Sequence, residues 1–135
     1  MKIAMLADGS DIHTIRWVDD LSERGHEVHL LTMHDGARNS VSDKVRVHQL
    51  ALQSPHGYYA NALQSKIKLN RICPDLLHAH YATGYGTLGR LSGYHPYLLS
   101  VWGSDVYEFP YRSFLHRHIL TKNLLSADDL CSTSQ

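Results

Sequence analysis

The sequence has few cysteines, no surplus of either charge and no long apolar run, and each shortage narrows what the chain can be. Its two cysteines, Cys73 and Cys131, lie far apart with no ligand-like spacing. They read as two thiols in a reducing compartment, in preference to a disulfide or a metal site. Lys plus Arg number 13 and Asp plus Glu number 13. No net field therefore draws the chain to nucleic acid or to an anionic membrane, which argues against a nucleic-acid binder but is compatible with a local basic patch. No apolar stretch approaches the ~20 residues that span a bilayer. The opening Ile3-Ala4-Met5-Leu6-Ala7 resembles a signal peptide only superficially, because it ends at Asp8. It reads as a strand, and the expected location is the cytoplasm.

What is present is ordinary except for histidine. The 135 residues are 43% hydrophobic and 19% charged, the profile of one soluble globular domain. The 11 histidines make net charge climb as pH falls below ~6.5.

Residues 2–7 form an apolar run closed by Asp8-Gly9-Ser10-Asp11, which are turn and cap residues. A helical pattern follows through Ile12, Ile15, Val18 and Leu21, ending at Arg24-Gly25. Val28 to Met33 is a second strand. This β-loop-α-β opening predicts an α/β fold with a doubly wound, mostly parallel, Rossmann-like sheet and helices on both faces. Residues 34–44 read as a loop and 45–48 as a short peripheral strand, whose direction the 11-residue connection leaves open. Further along, residues 59–71 are helical, 76–80 a central strand and 84–92 a helix. A strand over 97–102, a helix over 113–125 and a strand over 129–132 complete the pattern. Ser132-Thr133-Ser134-Gln135 resembles a helix cap with no helix behind it. Parallel sheets are covered on both faces, so a final strand here points to a domain cut from a larger molecule.

Ligands of doubly wound folds sit at the carboxyl ends of the strands, where loops meet helix N-termini. Four segments qualify. In the 8–13 turn, Gly9 allows close approach to backbone N–H groups that suit a phosphate, although a plain capped turn has the same composition. Gly84-Tyr85-Gly86-Thr87-Leu88-Gly89 matches the dinucleotide fingerprint G-x-G-x-x-G, but lies in a later βα unit than that fingerprint normally occupies. Gly89 also fits close helix–sheet packing, and no cofactor is expected. In His78-Ala79-His80-Tyr81 both rings share one face of the strand. No third ligand completes a metal site, so none is expected; His80 is placed to meet a substrate hydroxyl, and His78 to pack in the core. Ser100-Val101-Trp102-Gly103-Ser104-Asp105 runs from a strand into a carboxylate, which can bind sugar hydroxyls, transfer a proton or cap the next helix. Arg112, His116, Arg117, His118 and Lys122, interleaved with Phe114, Leu115 and Ile119, form either a membrane-surface helix or, the commoner case, the solvated face of a sheet-packing helix.

Taken in order, these pieces resemble the N-terminal domain of GT-B glycosyltransferases of family 4. The similar parts are His13-Thr14-Ile15-Arg16-Trp17, Arg24-Gly25-His26-Glu27-Val28, Pro74 to Tyr81, the Gly84–Gly89 turn, Trp102-Gly103-Ser104-Asp105 and Ala127-Asp128. The resemblance covers nearly the whole chain. It implies that residues 1–135 are one acceptor-side domain, lacking a C-terminal domain that holds the nucleotide-sugar donor. It further implies retaining sugar transfer, usually without a metal, to a polysaccharide or glycolipid-type acceptor, with possible peripheral contact at the inner face of the membrane. Carried over by position, Gly9 and Ser10 approach the donor phosphates, and His13, Trp102 and Gly103 lie along the substrate cleft. Many members carry histidine where this chain has Trp102, which cannot play that polar role but can stack on a sugar ring. His80 and Asp105 are the candidate catalytic groups, and Gly9, His80 and Asp105 are expected to line one crevice. A sugar-nucleotide epimerase of the same architecture and a non-catalytic ligand-binding module are the alternatives.

Overall fold

A computed structural model describes residues 1–132 of the chain. Six strands, β1 (Lys2–Leu6), β2 (Glu27–Thr32), β3 (Arg46–Gln49), β4 (Leu76–His80), β5 (Tyr97–Val101) and β6 (Asp129–Ser132), form one sheet in the order β3-β2-β1-β4-β5-β6. Every pairing is parallel. The order reverses direction at β1 and β4, so the crevice of a doubly wound sheet opens there.

Local chemistry sets the helix ends. Asp11 caps α1 (Ile12–Glu23), its carboxylate accepting from the N–H of His13 at 2.8 Å and of Thr14 at 3.4 Å. Gly25, at φ 89°, turns the chain from α1 into β2. Ser113 caps α7 (Phe114–Ser126) by accepting from His116 N–H. Between them run α2 (Ala37–Ser40), α3 (Gly57–Ala60), α4 (Ala62–Ile72), α5 (Gly84–Ser92), α6 (Ser104–Tyr107) and a 3-10 turn, Phe109–Tyr111.

The two faces of the sheet carry separate cores. On one, α1 and α2 bury Val18 and Ala37 against Ile3, Met5, Val28 and Leu30. On the other, α4, α5 and α7 bury Leu69, Leu88 and Leu120 against Leu6, Leu77, Ala79 and Leu99. The strands alternate between these faces, as the period of two demands.

The sequence left the direction of β3 open, and the structure makes it parallel to β2, with Leu31 beside His48. The short connection suffices because its one helix, α2, is a single turn. Ser132 closes β6, and the cap-like residues after it lie outside the described residues. Among the described residues, no helix is long and apolar enough to cross a membrane.

Candidate functional site

A cavity of about 240 Å³ opens where β1, β2, β4 and β5 end. Asp8, Asp11 and Thr14 come from the turn after β1 and the first turn of α1, and His34 follows β2. His80 and Tyr81 close β4, Trp102 follows β5, and Tyr58 and Tyr85 reach in from α3 and α5.

His80 is the central feature. It is 2% exposed, and among the described residues neither ring nitrogen has a hydrogen-bond partner. Burial, with His78 beside it, pushes its pKa down to about 3. At neutral pH the ring is therefore uncharged and offers one donor and one acceptor. Trp102 Nε1 is likewise buried without a partner. The two rings lie 5.4 Å apart, and His13 meets Trp102 edge to face at 5.1 Å. His78 differs: its Nε2 lies 2.8 Å from Ser100 Oγ, and burial holds its pKa at about 4, so it is a satisfied core histidine.

Tyr85 organises the opposite wall. Its hydroxyl accepts from Met33 N–H at 3.1 Å and lies 2.8 Å from His34 Nδ1 and 3.2 Å from Thr32 Oγ1. Burial raises its phenol well above the usual range, so the hydroxyl keeps its proton.

The turn after β1 is closed on itself. The N–H and hydroxyl of Ser10 both donate to Asp8 Oδ1, at 2.9 and 2.6 Å, and Gly9 N–H donates to Thr32 Oγ1 at 3.1 Å. Neither N–H is free to meet a phosphate in this arrangement. Gly9 does not line the cavity; a Cβ there would lie 2.4 Å from the Ala37 methyl, so the glycine permits α2 to pack.

Asp105 does not reach the cavity either. It is fully buried, and its carboxylate accepts from Ala82 N–H at 2.7 Å and from the N–H groups of Trp102 and Gly103, each at 2.9 Å. It fastens the loop after β5 to the loop after β4. Gly103, at φ 113°, takes a backbone shape that side chains with a Cβ rarely adopt. From the far side, Asn123 of α7 donates to the Ala82 carbonyl at 2.9 Å and to Thr87 Oγ1 at 2.8 Å. Ala82 is thus gripped at both its N–H and its C=O. Tyr81 sits at φ 77°, unusual for a residue with a side chain, and its hydroxyl meets Ser104 Oγ at 2.5 Å.

Of the three residues expected to line one crevice, only His80 does: the cavity forms around His80, Trp102 and residues 8 and 11 of the turn, Gly9 and Asp105 support it from outside, and His13 packs edge to face on Trp102. The glycine-rich segment is explained by packing. A Cβ at Gly89 would lie 2.5 Å from the Tyr97 hydroxyl oxygen, and one at Gly84 would meet the Tyr58 ring. His34, Tyr58 and Tyr85 escaped the sequence reading. His34 could have been found, since it follows β2 just as Asp8 follows β1; the tyrosines stand on helices whose approach only packing fixes.

Among the described residues, two carboxylates and no lysine or arginine line this cavity. It suits a neutral, hydroxyl-bearing ligand, which can satisfy His80 and Trp102, better than a phosphate. A second cavity of about 320 Å³ adjoins it, lined by Tyr59, Thr83, Thr87, Phe109 and His116, and shares Tyr58 and Tyr81 with the first.

By sequence the chain has no match among curated proteins. Among solved structures it is similar to sucrose-phosphate synthase from Thermosynechococcus elongatus, with a TM-score of 0.71, 15% identity and coverage of 96% of this chain but 41% of that one. It is similar also to MurG from Acinetobacter baumannii, with a TM-score of 0.67, 14% identity and coverage of 99% of this chain and 42% of that one. The chain thus spans about two fifths of the solved chains it matches, and its Rossmann-like sheet corresponds to part of a GT-B fold. The glycosyl transferase 4-like family matches residues 2–134, and the chain belongs to that family.

Proposed function

We propose that this chain is the acceptor-side domain of a retaining glycosyltransferase that moves a sugar from a nucleotide-sugar to a polysaccharide or glycolipid-type acceptor. In this reading the donor is held mainly by a C-terminal domain outside these residues. The observation that carries it is the pair of unpartnered polar rings, His80 and Trp102, facing a cavity that lacks cations. A sugar hydroxyl suits both rings: it accepts from Trp102 Nε1–H and donates to the unprotonated nitrogen of a neutral imidazole. Carboxylates at Asp8 and Asp11 add acceptors for neighbouring hydroxyls, and the tyrosine-lined second cavity gives room for a longer acceptor.

In transfer, His80 and Trp102 hold the acceptor hydroxyl in place, and Trp102 and Tyr81 shield it from water. Positive groups and N–H donors that stabilise the leaving diphosphate belong to the missing domain, since the near turn has its N–H groups engaged. The test uses the full-length protein with a panel of nucleotide-sugars and acceptors, following product anomeric configuration by NMR. His80→Ala should lower kcat/KM for the acceptor by about a hundredfold while leaving slow donor hydrolysis intact. Unchanged acceptor kinetics in His80→Ala and Trp102→Ala would remove the cavity from the reaction.

A further inference from the structure

The hydrogen bonds around Tyr85 can be drawn in only one way. Thr32 Oγ1 accepts from Gly9 N–H at 3.1 Å and from His34 N–H at 3.2 Å. A hydroxyl oxygen has two lone pairs, so both are taken. The Thr32 proton is left to donate to the Tyr85 oxygen, 3.2 Å away. That oxygen also accepts from Met33 N–H at 3.1 Å, which fills its own pairs. The phenol proton then has one place to go, Nδ1 of His34 at 2.8 Å. Burial raises the Tyr85 pKa well above its usual range, so the phenol holds that proton. The reverse arrangement fails: an Nδ1–H donating to Tyr85 would send the phenol proton to Thr32, whose oxygen would then accept three bonds. Asp8 offers no escape, because its Oδ1 lies 3.6 Å from Nδ1, too far for a hydrogen bond.

An Nδ1 that accepts leaves the proton of the neutral ring on Nε2. His34 lines the cavity with 26% of its side chain exposed, and among the described residues Nε2 has no partner. The ring therefore offers the cavity an N–H beside the carboxylates of Asp8 and Asp11, which can only accept.

We infer that His34 is a specificity-determining residue: locked by Thr32 and Tyr85 as the Nε2–H tautomer, it donates a hydrogen bond to an oxygen of the sugar in the cavity. The sugar rests on the function proposed above, whereas the tautomer does not. A deoxy position facing His34 loses the bond, and an ammonium there sets donor against donor.

The tautomer is read in the full-length protein by long-range proton–nitrogen NMR of isotope-labelled histidine at about pH 8, above the ordinary histidine range. His34→Ala identifies the signals, which should show Nδ1 bare and Nε2 protonated. Tyr85→Phe removes the phenol donor and should move the proton to Nδ1, on the side of Asp8, with melting curves confirming that the variant folds. In transfer assays, His34→Ala should raise KM for the acceptor about three- to tenfold at nearly unchanged kcat. His34→Gln, whose amide N–H can stand where Nε2–H stood, should recover most of that loss. One monodeoxy acceptor should show the same rise with the wild-type protein and ignore His34→Ala. A wild-type ring protonated on Nδ1, a tautomer indifferent to Tyr85→Phe, or an acceptor KM indifferent to His34→Ala would overturn the inference. A wild-type protein that transfers to no sugar would instead refute the reading of the cavity, and the ligand assigned to His34 with it.

Discussion

Two parts of the same sheet edge treat their polar groups in opposite ways. In the turn after β1, the N–H groups of Gly9 and Ser10 find partners within a few residues or on the neighbouring strand. Around the ends of β4 and β5, the ring nitrogens of His80 and Nε1 of Trp102 are buried with no hydrogen-bond partner among the described residues, although Asp105 and Asn123 satisfy the backbone beside them. A closed turn is a structural joint. A buried ring left unsatisfied next to a firmly held backbone marks the second region as the candidate site.

Acid should strike this second region hardest. His78 and His80 titrate near 6.5 in the unfolded chain but near 4 and 3 when folded. Between those values the unfolded chain binds protons that the folded chain refuses, so stability falls as pH falls. The slope should be on the order of 1.4 kcal/mol per pH unit for each ring between about pH 6 and pH 4. Urea titrations across that range measure it. The His78→Leu, His80→Leu double variant should remove about two thirds of the slope and leave the share of His48, whose pKa burial also lowers to about 4; an unchanged slope would place the acid sensitivity elsewhere.

Next in size is Asp105→Asn, which sets an amide N–H₂ among three backbone donors in a buried place. The expected loss is about 3 kcal/mol at pH 7. A loss under about 0.5 kcal/mol would mean that the two loops hold together without it.

The smallest effect is the most discriminating. His78→Leu orphans the Ser100 hydroxyl and should destabilise by about 1 kcal/mol, whereas His80→Leu removes a buried group with no partner and should be neutral or stabilise by up to about 1 kcal/mol. Thermal melts of the two variants at pH 8 should move apart. If they move together, the two histidines are equivalent and the contrast fails.

Much of this layout was legible in the chain. The apolar runs at 2–7, 28–33 and 76–80 and the cap at Asp11 are local signals, and local signals survive folding. The placement of His80 at a strand's carboxyl end followed from the fold class alone. What could not be read depends on partners distant in sequence. Asp105 looked like a group at the crevice edge, but its carboxylate is claimed by Ala82, a residue 23 positions earlier. Tyr85 had no role assigned inside the glycine motif, because its hydroxyl meets His34, 51 positions away, only through packing. The one-turn helices α2, α3 and α6 are too short for any periodicity to reveal.

The double grip on Ala82 has an entropic consequence. A loop that must be ordered when ligand arrives subtracts that ordering from affinity, and it lets differently shaped ligands mould it. Here Asp105 on one side and Asn123 on the other have already fixed the peptide that follows His80 and Tyr81 during folding. The wall of the cavity is therefore a template: a ligand that fits it binds without ordering it, and one that does not fit gains nothing from its yielding.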